Sequence, residues 1–559
     1  MFRMTSFSVC FFSLLMPLSF ASTVSTSSPE ATKVAMDILK SGGNAVDAAC
    51  AAVFTLNVTQ PYFAGVGGGG FALIHPQGKA DVFLDFRESA PSHVTSRLFH
   101  HADGSKMENW KERNTGPKTV GIPGEVAGCG KMIAEYGSLS WKKVLEPAIK
   151  LAQDGFKVSQ FFQEELSDQW TRISPYLFTK SLLQGADGAG LKKGEIFKQP
   201  KLALTLKALA EEGSKGFYSG QLAIKWLKEA QTLGVTISTK ELAAYRVRQS
   251  QPISFEFGKF HGVTAPVPSS AGFTLATVLR YLQHYHSIRG VENESQAERY
   301  AAAIEAKDYF GNLRNKKLSD PSRIKFSPQQ YVNSKEEQQA WSEMDRRLAT
   351  KIAKITQPNS KSSRTVGNTL EMRSHTAHVS VTDDFGNAVA LTSSVGNIYG
   401  SGIILPESGF VLNSTLGDFS DKAGSVNSPA PLVRPLSNMS PFLIYEGQPS
   451  DQNLVGVLGA AGGPLIPSGI VDFVQNYYYH NMNKEDAIRS PRIHAESGEG
   501  IFLEKHAPSE TFDRLKTMGY QVHPTETIWA VFEGVVRKKP NSTWEAVADT
   551  RYDGLGLHQ

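Results

Sequence analysis

Thr376 is a residue whose chemistry depends on where the chain is cut. It starts a strand-like run and follows a polar segment, Asn359 to Glu371, that has the composition of a linker. If the bond between His375 and Thr376 were broken, Thr376 would carry a free α-amino group beside its own hydroxyl. That amine has a reference pKa of about 7.7–8, so it can act as general base for the Thr376 hydroxyl. The pattern also fits a β-branched residue in an ordinary hairpin, and pattern alone favours that simpler interpretation.

The elements around Thr376 indicate how it would be positioned. Residues Thr376 to Ser394 alternate around the turn Asp383–Asn387, which predicts a hairpin. The stretch from about Trp141 to Thr350 is mostly helical in pattern, and short strands follow the hairpin. Helices and strands are mixed without regular alternation, which favours a layered α+β fold over a doubly wound sheet.

Other motifs give little support to a cofactor or a metal. Gly65 to Gly70 matches a dinucleotide fingerprint, but a strand signal follows where a phosphate-binding helix should begin. The pairs His100–His101 and His284/His286 have no Cys or carboxylate cluster at ligand spacing, so structural or solvated histidines are expected. No strained Gly-x-Ser-x-Gly turn stands between a strand and a helix. We therefore expect no cofactor and no metal.

Composition bounds the possible partners. The chain has 559 residues, 40% of them hydrophobic and 20% charged, with a formal net charge of +4. Basic residues are interspersed with acidic ones, and the longest basic run is Arg537–Lys539. This distribution argues against nucleic-acid binding.

The N-terminus predicts export. Arg3 precedes an apolar run, Phe7 to Phe20, and the small residues Ser19 and Ala21 stand where a signal peptidase would cut. This pattern is typical of a secretory signal peptide of residues 1–21. An N-terminal membrane anchor is the alternative, but the run is shorter than the roughly 20 residues that a spanning helix needs. We expect a periplasmic or secreted protein without stable membrane insertion.

Cysteine usage adds one open question. Cys10 lies in the predicted signal, and only Cys50 and Cys129 remain. Buried, inert thiols are the default expectation, and a single bridge between the two stays possible in an oxidising compartment.

Successive blocks of the chain resemble, in order, those of the γ-glutamyltransferase family of N-terminal nucleophile hydrolases. The blocks run from near residue 30 to near the C-terminus. They are Asn44–Ala49, Gly65–Phe71, Asp85–Glu88, Gly121–Gly124, Thr376–His378, Gly386–Val389, Gly400–Ile403, Asp418–Ser420, Arg434–Ser437 and Ala461–Gly463.

The resemblance implies a four-layer αββα sandwich made as one precursor. Self-cleavage at His375–Thr376 would give a large subunit, 22–375, and a small catalytic subunit, 376–559, which pair as a heterodimer within one shared sandwich. Thr376 would then take the γ-glutamyl group from glutathione and related compounds. Water, or the amine of an amino acid or peptide, would accept it.

The resemblance also assigns site residues. Thr376 is the nucleophile, and Ser394 occupies a family Thr position that supports it. Gly462 and Gly463 match the backbone amides that hold the oxyanion. The remaining matches are to residues that bind substrate. Arg87 and Ser437 match residues that bind the α-carboxylate, and Asp418 matches the residue that binds the α-ammonium. Asn438 stands where a second carboxylate-binding Ser is usual.

Three departures from the family pattern bear on specificity. Gly396 stands where the glutamate-binding pattern has Asn, with Asn397 one place later. Thr415–Leu416 replaces a polar pair, and the segment between Ser420 and Arg434 is short, so the lid over bound glutamate is expected to be reduced or absent. An open site of this kind favours bulkier γ-glutamyl compounds and hydrolysis over transfer.

Two other functions are compatible with the sequence. A β-lactam or glutaryl acylase would share fold and processing, although a glutaryl group has no α-amine for Asp418 to pair with. A non-catalytic exported scaffold with a degenerate site would retain Thr376, Arg87 and Asp418 without a task.

Overall fold

The computed structural model describes residues 22–101, 103–291, 294–356, 376–496, 500–528 and 530–559. The predicted signal segment 1–21, the predicted linker Asn359–Glu371 and His375 lie outside these ranges. The strands are β1 Thr23–Thr26, β2 Gly69–His75, β3 Val82–Phe86, β4 Phe156–Lys157, β5 Ile196–Phe197, β6 Arg248–Ser250, β7 Ile253–Phe257, β8 Phe260–Thr264, β9 Thr376–Thr382, β10 Ala388–Ser394, β11 Phe442–Glu446, β12 Leu454–Ala461, β13 Ile493–Glu496, β14 Gly500–Glu504, β15 Val522–Thr525, β16 Val531–Val536, β17 Glu545–Ala548 and β18 Leu555–His558.

The helices are α1 Pro29–Lys40, α2 Ala45–Thr59, α3 Trp110–Arg113, α4 Glu125–Tyr136, α5 Trp141–Asp154, α6 Gln160–Ile173, α7 Leu177–Leu183, α8 Pro200–Ser219, α9 Gln221–Thr232, α10 Thr239–Ala244, α11 Ser270–Arg289, α12 Gln296–Lys317, α13 Pro328–Tyr331, α14 Lys335–Ile352, α15 Ile466–Val474, α16 Lys484–Arg489 and α17 Ser509–Thr517. Short 3₁₀ turns include Thr415–Asp418 and Gly463–Leu465.

Two antiparallel sheets form the centre of the fold. Within the described ranges, seven strands make one sheet in the order β18-β1-β9-β10-β2-β3-β6, and six make the other in the order β17-β16-β12-β11-β8-β7. The predicted hairpin is present as β9 and β10, paired from Ala388 opposite Thr382 to Ser394 opposite Thr376. The nucleophile candidate therefore begins an interior strand of the larger sheet.

Helices cover both outer faces. Helices α1, α2 and α4 pack on the seven-stranded sheet, and α11 and α15 pack on the six-stranded sheet. Between the sheets lies an apolar layer that includes Phe71, Phe83, Leu443 and Val457. The predicted four-layer αββα sandwich is therefore confirmed.

Helix α2 shows how sequence builds the inner helical layer. Asn44 accepts hydrogen bonds from the amides of Val46 and Asp47, and Asp47 accepts one from the Asn44 amide, so the helix begins with a complete capping box. Every residue from Ala45 to Thr59 is buried, consistent with a helix that is apolar on nearly all sides. Cys50 and Cys129 are both free, buried thiols, so the bridge left open by the sequence is not formed.

The stretch from 141 to 350 is less uniformly helical than its pattern predicts. It contains β6, β7 and β8, which supply edge strands to both sheets. Ile253, Phe255 and Phe257 do alternate with polar residues, but over only five positions between long helices, so this period-two signal is weak. No helix of the described ranges is long and apolar enough to cross a bilayer.

Candidate active site

Thr376 is the first residue of β9, and its neighbours are fixed by strand register. It stands opposite Ser394, the last residue of β10, which in turn stands opposite Gly69, the first residue of β2. Thr376 is only 5% exposed. Its Oγ1 has no hydrogen-bond partner among the described residues. A buried hydroxyl thus stands at one end of a central strand, with no hydrogen bond to the part of the chain that the structure describes.

Arg87 reaches the same end of the sandwich because of the register of β3. Phe86, the last residue of β3, pairs with Gly70, so Arg87 emerges beside the strand ends that hold Ser394 and Thr376. Arg87 is 1% exposed. This burial is not that of an arginine in an ordinary surface ion pair.

The Arg87 guanidinium is held by backbone and by one carboxylate. Its Nε donates to the Pro435 carbonyl at 3.4 Å, and Nη2 donates to the Leu436 carbonyl at 3.3 Å. Nη2 also forms a direct ion pair with Oδ2 of Asp418, whose side chain is 40% exposed. Asp85 pairs instead with Arg434, at 2.7 Å. A buried cation and a partly exposed anion therefore face each other near Thr376.

Glu88 adds a second carboxyl behind Arg87. It is fully buried, its Oε2 lies 3.6 Å from Arg87 Nη1, and neither oxygen has a hydrogen-bond partner among the described residues. Burial raises the pKa of the Glu88 carboxyl. The sequence pattern does not indicate that Glu88 is buried at the site.

The course of β12 places Gly462 and Gly463 at the Thr376 end. Asp451, just before β12, contacts His75 Nε2 at 3.1 Å, and His75 pairs with Ala388 at the opposite end of the larger sheet. Further along, a Cβ on Gly459 would lie 2.1 Å from Cε1 of His378, so these two residues face each other across the sheets. β12 therefore runs toward the end where Thr376 lies.

The two glycines connect this strand to helix α15. Gly462 has φ of 132° and Gly463 has φ of 55°, conformations that favour glycine. The 3₁₀ turn Gly463–Leu465 leads directly into α15, whose N-terminus carries partial positive charge. Peptide groups in this position can stabilise a developing oxyanion.

Ser437 and Asn438 are fixed by the start of α11. Ser270 donates from its amide and its hydroxyl to the Ser437 carbonyl, each at 2.8 Å, and its hydroxyl lies 3.4 Å from Asn438 Oδ1. The Ser437 hydroxyl accepts from the Met439 amide at 3.1 Å. Because Phe442 of β11 pairs with Leu458 of β12, this segment precedes β11 at the end where β12 terminates.

The Gly396 departure has a structural reason. Gly396 has φ of +89°, and a Cβ there would lie 2.6 Å from Ser414 Oγ. Ser414 Oγ accepts from the Asn397 amide at 2.9 Å, and Asn397 Nδ2 donates to Asn114 at 2.8 Å. Ser414 thus excludes a side chain at position 396. The side-chain amide of Asn397 is already hydrogen-bonded to Asn114.

The short segment after Asp418 is tied to both sides of the site. Asn427 Nδ2 donates to the Asp418 carbonyl at 2.9 Å, and Asn427 Oδ1 accepts from the Leu436 amide at 3.1 Å. Asp421 pairs with Arg113 and, at 3.1 Å, with Lys106. No sequence signal marks Asn427, since an Asn in a polar loop is commonplace.

The predicted site residues are therefore brought to one end of the sandwich. They are Thr376, Ser394, Arg87, Asp418, Ser437, Asn438, Gly462 and Gly463. A hydroxyl, a pair of opposite charges and glycine peptides at a helix N-terminus are a set of groups suited to acyl transfer. Across the described part of the chain, no group of three His, Cys, Asp or Glu side chains could hold a metal ion.

Comparisons with known proteins agree with this geometry. A family model described as Gamma-glutamyltranspeptidase matches residues 31–558. The glutathione hydrolase proenzyme of Bacillus subtilis (strain 168) is 30% identical over 551 residues, covering 96% of this chain and 91% of that protein. The glutathione hydrolase proenzyme of Escherichia coli (strain K12) is 32% identical over 504 residues, covering 88% and 84%.

Solved structures show the same fold. A cephalosporin acylase from Bacillus halodurans has a TM-score of 0.83 at 22% identity and covers 100% of this chain and 99% of its own, a likeness of fold alone. A Helicobacter pylori γ-glutamyltranspeptidase chain has a TM-score of 0.54 at 30% identity and covers 57% of this chain and 90% of its own. On the family match and the near full-length relatives, the chain belongs to the γ-glutamyltranspeptidase family.

Proposed function

We propose that the protein is a γ-glutamyl hydrolase and transferase whose own chain is cut between His375 and Thr376. The observation that carries this proposal is the Arg87–Asp418 pair at the end of the sandwich where Thr376 lies. Family membership and relatives named as glutathione hydrolase proenzymes support glutathione and similar compounds as donors.

The charge pair matches the head of a γ-glutamyl group. The α-carbon of that group bears a carboxylate and an ammonium. A bound donor therefore replaces the Arg87–Asp418 ion pair by two ion pairs with the substrate. The carboxylate meets the Arg87 guanidinium, and the ammonium meets Asp418. Ser437 and Asn438 supply further polar groups beside the carboxylate.

Thr376 then performs the acyl transfer. Its Oγ attacks the γ-carbonyl carbon while its free α-amine takes the hydroxyl proton. The peptide groups of Gly462 and Gly463 stabilise the oxyanion. The amide C–N bond breaks, the leaving amine takes the proton, and an ester on Thr376 remains. Water or a second amine attacks this ester, and its proton returns to Oγ.

The sheet order supports one shared sandwich after cleavage. In the larger sheet, β1, β2, β3 and β6 precede the cut, whereas β9, β10 and β18 follow it. We propose that segments 22–375 and 376–559 stay paired as large and small subunits, because separation would break both sheets. Export with removal of residues 1–21 belongs to the same proposal.

The test is a denaturing gel with N-terminal sequencing and a γ-glutamyl-p-nitroanilide assay. We expect a small fragment beginning Thr376-Ala377-His378, a large one beginning at Ser22, and hydrolysis of the anilide. Thr376→Ala should give an uncut, inactive chain, and Thr376→Ser a cut one. A wild-type chain that stays intact on long incubation would contradict the proposal and favour the non-catalytic scaffold.

An acylase of the same fold is the second candidate, and one observation favours it. Ser414 excludes a side chain at Gly396, so the site lacks a contact that the family pattern makes with a glutamyl group. Asp418 is then the expected partner for an α-ammonium, and recognition of that ammonium is weaker than in the usual pattern. Comparing γ-glutamyl and glutaryl anilides separates the two functions. A preference for the glutaryl compound would support the acylase, since that group lacks the α-amine.

A further inference from the structure

Helix α6 places a buried arginine against the loop that follows β10. Arg172 lies in the last turn of this helix and is 5% exposed. Its Nη2 donates to the Ile398 carbonyl, and its Nη1 donates to the Gly400 carbonyl at 3.1 Å. Its Nε donates to the side-chain oxygen of Gln169 at 2.8 Å. None of these three partners carries a charge, so the guanidinium serves to hold the backbone of the loop.

The loop needs support because its backbone is strained. Tyr399 has φ of 56°, although it is not a glycine, and it is fully buried. Such a conformation is unfavourable for a bulky residue and persists only where surrounding contacts hold it. The Tyr399 amide donates to the Tyr62 carbonyl at 2.9 Å. The two carbonyls that Arg172 holds belong to the residues directly before and after Tyr399, so Arg172 forms a clamp around the strained position.

The same loop also fixes the hydroxyl of Ser394. The amide of Gly396, two residues before Ile398, donates to Ser394 Oγ at 2.9 Å. Ser394 stands opposite Thr376 in the β9–β10 pair. A serine side chain has three staggered rotamers, whereas the γ-methyl of a threonine restricts them. At this position, where the resemblance implies threonine, the Gly396 amide therefore selects a rotamer that β-branching would otherwise favour.

We propose that Arg172 is a positioning residue for the acyl transfer by Thr376. Its clamp keeps the Gly396 amide in place, and that amide keeps the Ser394 hydroxyl oriented beside the nucleophile. The inference rests on the proposed function and adds a residue to the same site. Arg172 precedes the proposed cut and the loop follows it, so the clamp also joins the two proposed subunits.

The variant Arg172→Met removes the clamp and keeps a side chain of similar shape. Ser414 still holds the Asn397 amide, so the loop should loosen without unfolding. We expect the first release of p-nitroaniline from the γ-glutamyl anilide, which reports the attack by Thr376, to slow about threefold to tenfold. The half-saturating donor concentration should change less than about twofold, because the residues assigned to donor binding are unaltered. Arg172→Lys should be intermediate, and all rates are divided by the amount of cut small fragment.

Arg537→Met is the matched control. Arg537 is also buried, and it donates to the Leu454 carbonyl at 2.7 Å and to the Gln452 carbonyl at 3.0 Å. These contacts lie at the start of β12, at the end of the sandwich away from Thr376. Burial lowers the pKa of both guanidinium groups to about 10, so the environments of Arg172 and Arg537 are similar. Arg537→Met should lower the urea midpoint about as much as Arg172→Met but leave the first release within about twofold of wild type.

Ser394→Thr tests whether the effect passes through the rotamer of residue 394. In that background, Arg172→Met should slow the first release by less than about twofold, because the γ-methyl restricts the rotamer without the clamp. Equal losses in both backgrounds would overturn the positioning role. Equal slowing by Arg172→Met and Arg537→Met would overturn it as well, since it would show an effect of stability alone.

A crystal structure of Arg172→Met separates this inference from the proposed function, because it requires no turnover. We expect the Ser394 hydroxyl to leave the Gly396 amide or to occupy more than one rotamer. A single unchanged rotamer would overturn the inference, even in an active enzyme. A displaced hydroxyl in the variant, together with a wild-type protein that does not hydrolyse the γ-glutamyl anilide, would contradict the proposed function and leave the effect of the clamp on Ser394 standing.

Discussion

Arg87 and Asp418 form a direct ion pair although 331 positions separate them in the chain. Arg87 is buried, and its guanidinium also contacts two backbone carbonyls and Glu88, whereas the Asp418 side chain is partly exposed. The pair therefore presents its negative member to an arriving ligand and keeps its positive member in a fixed position.

Replacing Asp418 by Asn should separate the two donor classes. We expect KM for γ-glutamyl-p-nitroanilide to rise about tenfold to a hundredfold, because a hydrogen bond to a charged group is lost. KM for the glutaryl anilide should change less than about twofold, since that group has no ammonium. Asp421→Asn is the control, as Asp421 pairs with Arg113 and Lys106 instead. Equal losses on both anilides would show that Asp418 acts only through folding.

Asn427 should act as a positioning residue for the donor site. Its side chain donates to the Asp418 carbonyl and accepts from the Leu436 amide. Asn427→Ala removes both hydrogen bonds, so the segments that carry Asp418 and Leu436 are no longer linked through this side chain. We expect KM for the γ-glutamyl anilide to rise about threefold to tenfold, with kcat nearly unchanged.

Two variants test whether this effect is positional. Asn427→Asp keeps the acceptor for Leu436 but loses the donor to Asp418, so it should be intermediate. Lys422→Ala, in the same segment, should behave as wild type. A fall in kcat and thermal midpoint with no change in KM would contradict the positioning role.

Gly459→Ala should disturb the contact between the two sheets. The added Cβ would lie 2.1 Å from the buried His378 ring, and overpacking of this kind costs about 1–3 kcal/mol. We expect a lower urea midpoint and slower appearance of the Thr376 fragment, because His378 lies two residues from Thr376. Gly311→Ala is the matched control, since a Cβ there meets nothing within 4 Å. Equal midpoints for the two variants would show that the ring can move aside.

Glu125 should make stability depend on pH. It is fully buried, accepts from the Ser393 hydroxyl at 2.8 Å, and burial raises the pKa of its carboxyl to about 8. Because the folded-state pKa lies above the unfolded value, its contribution is fully present below about pH 4.5 and is lost as pH rises toward 8.

The neutral variant Glu125→Gln removes this titration. The stability difference between variant and wild type should shift in favour of the variant by up to about 1.4 kcal/mol per pH unit across that window. Urea midpoints of both proteins at pH 5 and pH 8 measure it. A difference that is the same at both pH values would show that Glu125 does not bind the extra proton.

Local signals in the sequence predicted much of the framework. The Asn44 cap, the Asp383–Asn387 turn and the alternation after Thr376 each depend on a few neighbouring residues, and the corresponding elements are present. The strands near Ile253 and Phe260 were missed because they are short and lie between long helices.

The site itself depends on register and on distant contacts. Spacing alone does not bring Arg87 to Asp418. Family resemblance assigned both residues to the same substrate but did not indicate the ion pair between them. Neither source indicated that Ser414 fills the space beside Gly396, or that Asn427 bridges two backbone groups. Such details arise from packing between segments far apart in the chain, which local patterns do not encode.

The pairing of β1 with β18 has a consequence for engineering. The Gln559 amide donates to the Ser22 carbonyl at 3.0 Å, so the ends of the described chain meet. A short peptide link from Gln559 to Ser22 would permit a circularly permuted gene that opens at Thr376. In such a permutant, removal of the initiator methionine would expose the nucleophile without any internal scission.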